Sequence, residues 1–111
     1  MQSDASPPRV IGPSLSIPAE LIRRLLSLFA FHDEALAAYQ AQILVPRLGA
    51  APRDVVVIHV VGDPRACVDD AQRCVQNIIS GQHQSIDIVP LYAGDALLGQ
   101  VASMVLPFYR R

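Results

Sequence analysis

The sequence predicts a small α/β domain of the α+β kind, a three-stranded mixed sheet with three helices in the order α-β-β-α-β-α. Three observations carry that prediction. Of the 111 residues, 51% are hydrophobic, enough for one ordinary core. Three segments repeat their apolar residues at helical spacing, and three shorter ones either alternate with period two or run continuously in β-branched residues. One helical segment lies between two strand segments, a step that favours parallel pairing through a right-handed crossover.

The elements follow in order. The first fifteen residues, with Pro7, Pro8 and Pro13, have no apolar period, so residues 1–10 are expected to form a flexible Pro/Ser-rich arm and 11–111 the domain. From Pro18, Leu21, Ile22, Leu25, Leu26, Leu28 and Phe29 share one helical face and Arg23, Arg24 and Ser27 the other, which predicts a helix running to about His32. In the following Ala38–Val45 segment, Tyr39, Ala41, Ile43 and Val45 alternate with Gln40, Gln42 and Leu44, predicting a strand with unequal faces. A loop from Pro46 to Pro52 allows an antiparallel return into Val55–Val61, which is apolar on both faces and therefore suits the centre of a sheet.

Asp63 and Pro64 mark a helix start, the carboxylate capping free N–H groups and the proline standing where its missing N–H costs nothing. Cys67, Val68, Ala71, Cys74, Val75, Ile78 and Ile79 form the inward stripe of that helix, and Gly81 ends it. Ser85–Leu91 predicts a third strand, parallel to the valine strand, with Ile86 and Ile88 facing opposite to Asp87, Val89 and Leu91. Asp95 begins a last helix whose buried face is expected to be Leu97, Leu98, Val101, Met104 and Val105, stopping before Pro107.

Charge picks no partner class. Nine basic residues, all arginine, stand against ten acidic ones, so no single-sign field points to nucleic acid or to an anionic membrane. The lack of lysine removes Schiff-base chemistry and the lysine of a P-loop. No apolar run is long enough to cross a bilayer and no signal-peptide pattern opens the chain, so the expected location is cytoplasmic. Cys67 and Cys74, seven apart on one helix, are about 10 Å apart, too far for a disulfide, and are expected to be reduced core residues. His32, His59 and His83 have no ligand spacing, so neither a metal nor another cofactor is expected.

No nucleophile elbow, dinucleotide loop, zinc-protease motif or Cys-x-x-Cys pair occurs, so no catalytic residue and no enzyme is expected. His59, inside an apolar strand, invites a reading as a tuned acid–base group, but it has no partner in the sequence and reads better as a hydrogen-bonded strand histidine. Asp69 and Asp70 point in different directions on a helix and read as a solvated face. Arg110 and Arg111, after Phe108 and Tyr109, read as a terminal anchor with packed aromatics and wet guanidinium groups.

Three stretches, IGPSLSIPAELIRRLLSLFA, AYQAQI and IDIVPLYAGDALLGQVASMVLPFYRR, resemble the C-terminal domain of the enhanced serine sensitivity protein family, SseB, over about residues 11–111. The start at Ile17–Leu21, the strand end at Asp87–Leu91 and the tail from Pro107 to Arg110 carry the likeness. The resemblance implies a bacterial, cytoplasmic protein linked to serine sensitivity, and it brings no catalytic residue and no cofactor. Family members place a second domain ahead of this one, so it also implies that the chain is a stand-alone version or a trimmed one.

The leading functional expectation is a non-enzymatic protein-interaction or regulatory module, because a small sheet leaves a face or an edge uncovered. Its expected surface is Tyr39, Gln40 and Gln42 with Phe108 and Tyr109, and a homodimer is the simplest partner arrangement. The alternative is an amino-acid sensor at the carboxyl ends of the parallel strands, at Gly62, Asp63, Leu91 and Tyr92.

Overall fold

The computed structural model describes residues 7–49, 51–81 and 84–111. Along them come β1 (Arg9–Pro13), α1 (Ala19–Ala30), β2 (Ala35–Leu44), a 3₁₀ turn (Pro46–Leu48), β3 (Arg53–Val60), α2 (Arg65–Ile79), β4 (Ile86–Leu91), α3 (Ala96–Met104) and β5 (Tyr109–Arg110). The strands form one mixed sheet in the order β1-β2-β3-β4, with β5 added on β2. The α+β class, the three helices and the three expected strands are all present, and the sheet gains two short strands. No described helix is long and apolar enough to cross a membrane.

The valine run becomes β3 and lies between β2 and β4. Pairing with β2 is antiparallel, Tyr39 opposite Val57 and Ala41 opposite Val55, while pairing with β4 is parallel, Val56 beside Ile88 and Val57 beside Val89. Alternate residues of β3 feed two cores. On one face Val56, Ile58 and Val60 meet Leu21, Leu25 and Phe29 of α1 and Cys67, Ala71 and Val75 of α2. On the other, Val55 and Val57 meet Tyr39, Ala41, Leu98, Val101 and Val105. Helices therefore cover both faces of the sheet, and this is why β3 is apolar in every register.

The first added strand corrects the expected arm at its end. Arg9 and Val10 belong to β1, Val10 is buried against α3, and its N–H donates to Gln100 Oε1 at 3.0 Å. Residues 1–6 of that arm lie outside the described residues. The strand escaped the periodicity argument because it is five residues long, bulges between Val10 and Gly12, and ends at a proline. Ser14, just beyond it, is fully buried; its hydroxyl donates to Asp54 Oδ1 at 2.8 Å, and its N–H extends the ladder to Gln40 O at 3.1 Å.

The tail makes the second added strand. Tyr109 and Arg110 pair with Ala38 and Ala37, flanked by bonds from Phe108 N–H to Ala38 O at 2.8 Å and from Arg111 N–H to Leu36 O at 2.9 Å. Since β3 occupies the other side of β2, β1 and β5 lie along the same outer edge of β2 and together close it. β2 itself begins at Ala35, earlier than its alternation announces, because Ala35, Ala37 and Ala38 are small buried residues without β-branching. On α3, Met104 is 49% exposed instead of inward, because the helix ends there and Val105 takes the core position.

Candidate functional site

The surface expected on β2 is only partly exposed, and its central residue is buried. Tyr39 is 7% exposed and lies inside the core beneath α3, because its register opposite Val57 aims it at the covered face. Gln40 and Gln42 are half-buried on the opposite face, where Gln42 Nε2 donates to Asp54 Oδ1 at 3.5 Å. Phe108 and Tyr109 pack on Phe29 with ring centroids 6.3 and 5.6 Å away, and Tyr109 Oη donates to Phe29 O at 3.3 Å. Arg111 reaches Asp33 at 2.9 Å and Arg110 is exposed, so the tail has the anchor geometry read from its sequence.

Of the other expected cluster, Tyr92 and Gly62 are in contact, while Asp63 is engaged by Arg65 and Leu91 is in the core. At the carboxyl ends of β3 and β4, Tyr92 Oη donates to Gly62 O at 2.8 Å, and Leu91 is part of the core. Gly62 turns with φ +73°, a conformation that favours glycine. Asp63 Oδ1 accepts the Arg65 N–H at 3.1 Å and Asp63 Oδ2 accepts Arg65 Nη2 at 2.7 Å. Those two hydrogen bonds hold the Asp63 carboxyl below the ordinary carboxylate range. The N-terminus of α2 thus carries its own anion.

At the edge of the sheet away from β1, β4 is the terminal strand, and among the described residues one of its sides has no paired neighbour. A groove of about 990 Å³ runs beside it. Ile86 and Ile88 line it from one face of β4, Asp87 and Val89 from the other, with Gln72, Gln76 and Ile79 of α2 above and Leu97 of α3 below. The groove borders both faces of β4 and continues past Arg53 and Val55 of β3 to Ile43, Val45, Leu48 and Pro8, where it meets core residues. Arg53 Nε donates to Asp87 Oδ2 at 2.7 Å, which neutralises the acid on that edge and raises the Arg53 pKa through the same bond. Pro90 has no N–H, which a terminal strand tolerates and a central one does not.

Residues 11–111 match the family model described as SseB protein C-terminal domain. The chain belongs to the SseB C-terminal domain family. The match begins inside β1 and ends with the tail, so it takes in all three helices and β2 to β5. No curated protein and no solved structure matches the chain.

This SseB C-terminal domain also holds a polar cluster that its sequence concealed. His32 Nε2 lies 2.9 Å from Asp70 Oδ2 and His32 Nδ1 3.3 Å from Glu34 Oε1, and Arg73 Nη1 donates to Asp70 Oδ1 at 3.1 Å. The cluster ties the α1–β2 corner to α2. Asp70 is 38 residues from His32, and no local spacing announces the contact. Asp69 stays exposed, as a solvated helix face requires. His59 is half-buried on β3 between Ala37 and Leu91, and His83 lies outside the described residues.

Cys67 lies below the cluster, fully buried, and its thiol is pushed up to about 11 by burial first and by Glu34 and Asp70 next. Burial also raises Cys74, partly offset by Arg24. Neither thiol is an activated nucleophile. The Cys67 shift has a signed consequence. From pH about 9, its ordinary value, the unfolded chain sheds the Cys67 proton while the native chain keeps it, so stability falls as pH rises toward 11. Below 9 the group contributes no slope. Melting temperatures of the wild type and Cys67→Ala across this range should converge as pH rises; a constant difference would show that the thiol ionises equally in both states.

Proposed function

We propose that this domain is a non-enzymatic protein-interaction or regulatory module, and that it engages its partner along the free side of β4. One observation carries the proposal. Among the described residues, the outer side of β2 is closed by β1 and β5, whereas β4 has an unpaired side bordered by a groove of mixed apolar and polar lining. A row of backbone donors and acceptors bordered by Val89, Leu97 and Ile79 suits an extended segment, whose backbone would bond the strand while its alternate side chains enter the groove.

The amino-acid-sensing alternative draws no support from its expected site. Gly62 O already accepts the Tyr92 hydroxyl, and the anion position at the start of α2 is filled by Asp63.

The test is capture of binding proteins by the tagged chain, beside a Val89→Lys variant whose fold is checked by circular dichroism. Val89 is half-buried on the edge strand, so its lysine can reach solvent without opening the core. Loss of a specific partner in the variant is expected. A partner retained undiminished by Val89→Lys would place binding elsewhere and overturn the reading.

A further inference from the structure

We propose that the occupant of the β4 side is a second copy of this chain, the two β4 strands pairing antiparallel about a two-fold axis at Ile88. The inference rests on the interaction-module reading and names its partner. A strand side is satisfied as a row only by another strand. The molecule guards its other terminal strand, since β1 is short, bulged and closed by Gly12 and Pro13. Ile86 to Val89 on β4 have no such device; their one charge, Asp87, is neutralised by Arg53, and Pro90 limits the ladder only at its end.

The pleat then selects the register. In a continuous sheet related by a two-fold axis, opposed residues share a face, so a residue can be centred on its own copy and its neighbours pair crosswise. Centring on Asp87 sets two carboxylates against each other, and centring on Val89 brings Pro90 into the middle of the ladder. Centring on Ile88 pairs Ile88 with Ile88, Asp87 with Val89 and Ile86 with Pro90, which joins apolar to apolar on one face and avoids the acid–acid contact on the other.

The rim fits the same partner. The axis brings α2 beside its copy, and the exposed α2 side chains on the groove include Gln72 and Gln76. An amide both donates and accepts, so it can bond its own copy across a two-fold axis. Arg73 is held by Asp70, and with Arg53 held by Asp87 the meeting surfaces carry little net charge to repel.

Sedimentation equilibrium of the full chain tests this. The wild type is expected at twice the chain mass. Gln72→Glu/Gln76→Glu and Gln72→Arg/Gln76→Arg, both on exposed helix positions, should each weaken the dimer by about tenfold or more, and mixing them should restore it. The register has its own readout. Asp87→Cys/Val89→Cys should form a disulfide-linked dimer under oxidation, and Asp87→Cys alone should not. A wild type that stays monomeric at millimolar concentration, a dimer indifferent to the charged pairs, or an unlinked double-cysteine variant would each overturn self-pairing. The Val89→Lys capture judges the broader reading separately.

Discussion

Replacing Phe29 with alanine is expected to destabilise the domain by about 3–5 kcal/mol, the cost of emptying a large aromatic site in a packed core. Phe29 is 0% exposed at the last turn of α1, in the core shared by α1, α2 and the sheet. It also seats the tail, packing against both Phe108 and Tyr109. The cavity therefore opens where three elements meet, and the surroundings cannot collapse into it without shifting the chain end. Phe31, two residues on, is 87% exposed, and Phe31→Ala should stay within about 0.5 kcal/mol of the wild type. Urea denaturation of both variants checks the contrast. Equal midpoints would mean that the Phe29 site is not the packed junction described.

Removing the tail from Phe108 onward should cost about 4 kcal/mol. Two half-buried aromatic side chains contribute about 1–2 kcal/mol each, and three bonds, from Phe108 N–H, Arg111 N–H and Tyr109 Oη, add a fraction of that. The deletion does more than remove contacts. It uncovers Phe29 and frees the side of β2 from Leu36 to Ala38, an unpaired edge next to exposed apolar surface. Truncated protein should thus melt earlier and scatter light increasingly with concentration. Arg110→Ala/Arg111→Ala in the full chain should do neither, because the Arg111–Asp33 pair has a fully exposed acid and exposed pairs are worth little. A truncated chain as stable and as clear as the wild type would show that β5 is ornamental.

The elements that were legible were those whose period survives in one segment. The α2 stripe, with Cys67, Ala71, Val75 and Ile79 buried, follows from helical spacing alone. The valine strand announced its central place by being apolar on both faces, and the step through α2 announced its parallel pairing with β4. β1 and β5 gave no such signal. Each is short and owes its strand geometry to β2, which supplies the ladder for Gly12 and Pro13 at one end and for Tyr109 and Arg110 at the other. Tyr39 shows the same limit from the other side. Alternation placed it on one face of its strand, but which face is covered depends on where α3 lies, and α3 is more than fifty residues further along.

The candidate site divides in the same way. Ile86, Asp87, Ile88 and Val89 were read as a strand with two distinct faces, and that much is local pleat geometry. That this strand is the terminal one, with Gln72 and Gln76 overhead and Asp87 held by Arg53, is a matter of strand order, and strand order joins residues far apart in the chain. The sequence by itself determined the class of the domain, its helices, its three main strands and its family, because periodicity and motif order are properties of neighbouring residues. The tertiary structure alone decided which side of which strand stays open, because an edge is defined by the absence of a partner, and partners are chosen by packing across the whole chain.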